Sequence, residues 1–184
     1  MAELCTYPDN EMASDTQIHQ FALLMKQMED LYDVSRVEWD ASSVDNRVDL
    51  AKSIIDMGCI APLYYVAVKC RDHRLRLQAV QSLELVFHRE GIWDARSTAT
   101  VARKVMELEE SDYFTAAGLF DDLTIFACQE PPTLPEHYRI RNVGFVSSGN
   151  PAERILLFGR RPQGKGVRSC IAEYHMSSQS WVDV

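Results

Sequence analysis

Gly159-Arg160-Arg161-Pro162-Gln163-Gly164-Lys165-Gly166 comes within one residue of a phosphate-cradling loop, in which glycines bring backbone N–H groups to a nucleotide and a lysine neutralises its terminal phosphates. Gly166 stands where the magnesium-holding Ser or Thr belongs, and Val167-Arg168-Ser169-Cys170-Ile171 favours a strand over the helix that such a loop must open. A hairpin turn explains the run better, and no cofactor is expected. Cys5, Cys59, Cys70, Cys128 and Cys170 are odd in number, widely spaced and free of any Cys-x-x-Cys pair, so neither a disulfide framework nor a zinc site is expected. His73 and His88 lie 15 positions apart, about 22 Å along a helix, and His19, His137 and His175 fall in separate elements. Acid/base chemistry assembled from distant positions would draw first on Tyr64, Tyr65, His88 and Glu90.

The charge of the chain restricts its partners. A formal net charge of -8 over 184 residues argues against a surface that neutralises phosphates, so direct sequence-specific contact with nucleic acid is not expected. The sign is unevenly distributed: up to residue 70 twelve acidic residues face five basic ones, whereas Arg139, Arg141, Arg154, Arg160, Arg161, Lys165 and Arg168 face only Glu153 between residues 139 and 170. The plain reading is two oppositely charged solvated faces. The longest apolar run, Cys59 to Val68, is far short of the roughly 20 residues a membrane span needs. No secretory leader pattern opens the sequence, and the cysteine usage suits a reducing compartment, nucleus or cytoplasm.

Several elements can be read from periodicity. Ser14 and Gln17 have capping-box spacing, and Ile18, Phe21, Met25, Met28 and Tyr32 recur in steps of three and four, which predicts an amphipathic helix. A second helix is expected from Asp45 to Met57, stopped by Gly58. The Ile60 to Val68 run, with Pro62 in its first turn and apolar residues all round, predicts a buried central helix, with a buried strand as the competing reading. Asp72 can cap a fourth helix that Gly91 would follow, and Asp94 can start a fifth. Ser111 to Cys128 reads as one more short helix, after which Pro131, Pro132 and Pro135 allow none. Tyr138 to Val146, Arg154 to Gly159 and Val167 to Tyr174 are β-prone.

The fold class expected is mainly α: an antiparallel helical bundle or helical-hairpin array with a small C-terminal antiparallel β meander. It divides into a loose arm over residues 1–13, a helical domain over 14–128, a Pro-rich connection over 129–137 and the meander over 138–184, packed on the helices.

The run Met57-Gly58-Cys59-Ile60-Ala61-Pro62-Leu63-Tyr64-Tyr65-Val66-Ala67-Val68-Lys69-Cys70-Arg71-Asp72 resembles a recurrent stretch of the fungal-specific regulatory domain of zinc-cluster transcription factors. Arg74 and Arg76, then Arg89-Glu90-Gly91-Ile92-Trp93-Asp94, then Leu134-Pro135-Glu136-His137-Tyr138-Arg139-Ile140-Arg141-Asn142-Val143, follow in the family's order and spacing. The likeness covers residues 55–184, with two departures. His73 replaces a proline, and the six-cysteine array that holds two zinc ions and places a helix in the major groove is not in this sequence. Either the module was lost or these residues are the end of a longer product.

The resemblance implies a transcription-factor-like regulatory protein of a filamentous fungus, tied to secondary metabolism, that acts through a protein partner, either a full-length zinc-cluster factor or a second copy. It carries no catalytic assignment. Asp72 and Asp94 are expected as helix caps, Trp93 as a large buried ring, and Arg71 and Arg89 as partners for carboxylates or carbonyls. The alternative is a small biosynthetic enzyme of cyclase or isomerase type using Tyr64, Tyr65, His88 and Glu90, and a small-molecule ligand is compatible with either reading. For docking, the stripe Ile18, Phe21, Met25 and Met28 is the first candidate, with packing on the Tyr64-Tyr65 helix as the competing use.

One expectation follows from the cysteine spacing alone: the purified chain should carry no stoichiometric zinc and should keep its fold in chelator. Elemental analysis finding one or two zinc ions per chain would contradict it.

Overall fold

The computed structural model describes residues 11–41, 58–86, 89–116, 134–149, 153–161 and 167–184. Among them are four α-helices, a two-stranded hairpin and a four-stranded antiparallel sheet. The chain therefore mixes α and β structure rather than being mainly α, and a helical bundle is not what the described helices establish. The C-terminal sheet has four strands, and its central strand over Arg154–Arg160 alternates buried and outward residues with the period of a strand. The predicted arm and the helix from Asp45 to Met57 lie largely or wholly outside the described residues.

Two compact units can be distinguished, residues 16–103 and residues 104–184 together with the first 15. In the first, a 3-10 turn over Glu11–Gln17, which begins in the other unit's segment, leads into helix α1, Ile18–Ala41. The capping-box pair Ser14 and Gln17 sits in that turn, so the α-helix proper starts just after it. Helix α2, Ile60–Lys69, begins behind Gly58, whose φ of 63° is the left-handed conformation glycine adopts without penalty. The buried strand weighed for this run is excluded. Pro62 occupies the first turn, where its missing N–H costs nothing, and Ile60, Leu63, Val66, Ala67 and Val68 are buried.

Only three residues separate α2 from α3, His73–Leu85, and the two helices pack against each other. Asp72 makes the sharp connection possible, since it has extended backbone and its Oδ1 accepts the Leu75 N–H at 3.0 Å. Arg76, fully buried, donates through Nε to the Ala67 carbonyl at 2.8 Å near the C-terminal end of α2, and so ties the two helices together a second time.

Residues 89–94 form a hairpin, β1 (Arg89–Glu90) and β2 (Trp93–Asp94), with Gly91 at φ 57° in its turn. Gly91 therefore closes a hairpin rather than following the end of a helix, because the left-handed conformation suits both places. Asp94 caps helix α4, Ala95–Ala116, accepting the Ser97 N–H at 2.8 Å. Its 22 residues run through Ser111 without a break, so no separate helix begins there; the rest of the helix expected up to Cys128 lies outside the described residues.

From Lys104 onward α4 belongs to the second unit, together with a 3-10 turn at Glu136–Tyr138 and strands β3 (Arg141–Ser148), β4 (Arg154–Arg160), β5 (Ser169–His175) and β6 (Ser180–Asp183), in that spatial order. A register shift between Arg141 and Gly144 bends β3, and Asn142 there has φ 53°, a conformation asparagine tolerates better than most residues. One face of the sheet is closed, with Ile155, Leu157, Ile171 and Ala172 all buried. Gly159 belongs to β4, and a Cβ there would lie 2.4 Å from the Ile140 Cγ2, so only glycine fits. The near-phosphate run thus begins within a strand, and its residues 162–166 lie outside the described residues.

The entry into β3 is fixed by a buried carboxylate. Glu109 of α4, fully buried, accepts the Arg139 guanidinium at 3.1 Å and the Ile140 N–H at 2.8 Å. Arg139 is also fully buried. Glu109→Ala would leave that guanidinium without its carboxylate in a dry site and should cost about 3–5 kcal/mol. By comparison, Glu84→Ala, which removes the half-exposed partner of Arg103 at 2.7 Å, should cost less than about 1 kcal/mol. Urea unfolding of both variants checks the contrast; equal midpoints would contradict it.

Candidate functional site

Three of the four residues singled out for chemistry, Tyr64, Tyr65 and Glu90, lie in or against the first half of α2. Glu90, in β1, points one carboxylate oxygen at the Cys59 N–H (3.0 Å) and Cys59 Sγ (3.2 Å) and the other at the Ile60 N–H (2.9 Å). Cys59 precedes the helix and provides no side-chain cap of its own. The first N–H groups of any helix lack partners within it and carry partial positive charge, so a carboxylate in this position satisfies two donors and complements the helix dipole. Glu90 is a capping residue supplied from about thirty positions away.

Tyr64, one turn into α2, packs on Trp93 of β2 with the rings tilted by 48° and their centroids 5.5 Å apart, which holds the hairpin against the helix it caps. Trp93 is half-buried, not fully enclosed as expected. Tyr65 faces Phe21 of α1 at 6.1 Å. Tyr64, Tyr65 and Glu90 therefore belong to one neighbourhood in the first unit. His88 lies outside the described residues. Arg89 donates to the Gly91 carbonyl at 3.1 Å within its own hairpin, while Arg71 is buried at the α2–α3 connection.

The stripe proposed for docking takes part in the packing of the first unit. Phe21 and Met25 are each 1% exposed, Ile18 and Met28 are half-buried, and α1 packs against α3. Packing on the Tyr64-Tyr65 helix, the competing use of this stripe, is what the Phe21–Tyr65 contact embodies. Among the described residues no three His, Cys, Asp or Glu side chains gather in a way that could hold a metal, and no helix is long and apolar enough to cross a membrane.

In comparisons with protein families, curated proteins and solved structures, the chain matches none.

Sequence reasoning had identified Glu90 as a possible acid or base and, separately, as a structural residue of the family motif. Its true partner was not legible, because a cap drawn from a distant hairpin leaves no local spacing. Glu90→Ala should destabilise the first unit by about 1–3 kcal/mol, with Glu90→Gln intermediate because an amide oxygen can still accept one N–H. Thermal unfolding followed by circular dichroism measures this, and an unchanged midpoint for Glu90→Ala would remove the capping role.

Proposed function

We propose that this chain is a transcription-factor-like regulatory protein that works by contacts with other proteins rather than by chemistry at a pocket or by reading DNA itself. The observation that carries the reading is the engagement of Glu90. Both of its oxygens are taken by the start of α2, and Tyr64 beside it is packed on Trp93, so the best-placed acid/base candidates are already holding the fold together. That weighs against the cyclase or isomerase alternative, which would need the same groups to face a substrate.

Three further considerations support the reading. The segments that resemble the fungal regulatory domain are those that form the capped α2–α3 pair, the β1–β2 hairpin and the entry into β3, so the likeness follows residues that fix the fold. An overall charge of -8 disfavours direct contact with a polyanion. The 184 residues also contain no cysteine array that could hold a DNA-reading zinc pair. A nuclear or cytoplasmic setting, a fungal origin and a link to secondary metabolism rest on the resemblance.

Tethering the full chain to an unrelated DNA-binding module upstream of a reporter in fungal cells tests the proposal. Transcription should change several-fold, in either direction, and the change should survive Tyr64→Phe, which keeps the ring packing but removes the hydroxyl. A reporter that does not respond to the well-expressed fusion would overturn the regulatory reading.

A further inference from the structure

The inner face of the four-stranded sheet is closed, and the outer face has an ordered composition of its own. Residues 155, 157 and 159 of β4 are buried, which assigns Arg154, Leu156, Phe158 and Arg160 to the opposite side. The central strand thus presents two apolar side chains between two arginines. The register places Val146 of β3, Leu156, Glu173 of β5 and Val182 of β6 in one row across that side. Val146 and Val182 at its ends are 56% and 51% exposed.

A third arginine completes the face. The Arg168 guanidinium lies 5.8 Å from the centre of the Phe158 ring, a cation–π contact. It can approach there because Gly144, paired with Phe158, has no side chain: a Cβ at that position would be 2.2 Å from the Arg168 Nη2. Glu173 is the acid within the row, and its charge is matched locally by Arg154 at 2.9 Å and by His175 at 3.4 Å.

We propose that this outer face docks an acidic, amphipathic segment of a partner protein, carboxylates meeting Arg154, Arg160 and Arg168 and apolar side chains covering Leu156, Val146 and Val182. The proposal rests on the regulatory reading above and supplies its contact surface. Charge complementarity selects the occupant, because a chain with net charge -8 gathers arginines here around exposed valines. Arg154 and Arg160 are six residues apart, about 20 Å along the strand. That distance fits an extended segment of about seven residues with acids at both ends and large apolar residues between. Arg168 would move from Phe158 to a carboxylate of the partner and uncover the ring. A nucleic acid matches the arginines but leaves the valine row uncovered, and the rest of the chain repels it.

The full chain is titrated with a fluorescent peptide that has acidic residues at both ends and leucine and phenylalanine between them. The control peptide has each acid replaced by its amide. Saturable binding of the acidic peptide at physiological salt is expected, with weak binding of the control. Affinity should fall roughly tenfold or more when Arg154→Glu and Arg168→Glu are combined, as expected for reversing two charges at an interface. Val182→Asp, on the edge strand and away from the arginines, should weaken binding without altering the melting temperature, so the proposal does not depend on one variant folding.

Equal binding of both peptides, or undiminished binding by a folded variant, would overturn the proposal. So would tighter binding of an anionic phosphatidylserine vesicle or a DNA duplex than of the peptide, or self-association in sedimentation that the same substitutions abolish. A responsive reporter with no peptide binding sinks this inference alone; a silent reporter with specific peptide binding sinks the regulatory reading alone.

Discussion

A backbone N–H at the start of a helix, or at the entry to a strand, must find an acceptor when it leaves water, and a carboxylate buried to meet it must have its own charge compensated. This chain meets both requirements with one device used twice. Glu90 accepts the N–H groups of Cys59 and Ile60, and Glu109 accepts the Ile140 N–H together with the Arg139 guanidinium. In each case the carboxylate lies 30 or 31 positions from the backbone it satisfies. The start of α2 and the entry into the sheet are therefore fixed by long-range polar contacts, while the apolar residues around them supply most of the driving force.

The same device limits what chemistry the chain can perform. A carboxylate whose oxygens are occupied by backbone donors is held in one orientation, turned toward those donors, which makes it a poor partner for a substrate. Tyr64 is constrained in a related way, since its ring is fixed by Trp93 while Trp93 belongs to the hairpin that presents Glu90. Loosening one of these groups for catalysis would loosen the helix start that all of them share. Rigid elements with committed polar groups suit a surface that must keep its shape while a partner binds.

Local physics was legible in the sequence, and distant partnership was not. Asp72 and Asp94 could be read as caps because a cap needs only a short polar side chain before a helix, and both accept the expected N–H. Pro62 marked the first turn of α2 through its own backbone preference, and Gly58, expected to stop the helix before it, has the left-handed conformation that role would use. Gly91 misled because a left-handed glycine serves a helix end and a hairpin turn equally well. No break occurs at Ser111, because Ser and Asp on an exposed helical turn cost only a few tenths of a kcal/mol each, which continuation of α4 outweighs. Strand β6 is four residues long with two of them polar, too short to show alternation, and it is defined by pairing with β5. Nothing in the sequence separates Glu109 from its neighbours Glu107 and Glu110; only the fold reveals that Arg139 lies opposite.

The sheet edges bear on how a partner could be recognised. Adding a strand to a sheet needs an open, regular edge with unpaired backbone groups. At one edge, β3 is bent by the register shift between Arg141 and Gly144, with Asn142 in a left-handed conformation. At the other, β6 has only four residues, and its Asp183 lies 3.4 Å from the ammonium of Lys104. Both are features that discourage edge pairing. The outer face is different: the row Val146, Leu156, Glu173 and Val182 runs across all four strands, and Arg154 and Arg160 are presented by β4, which is paired on both sides. Recognition by side chains across that face therefore requires no rearrangement of the backbone, whereas recognition at an edge would require the bulge in β3 or the short β6 to give way.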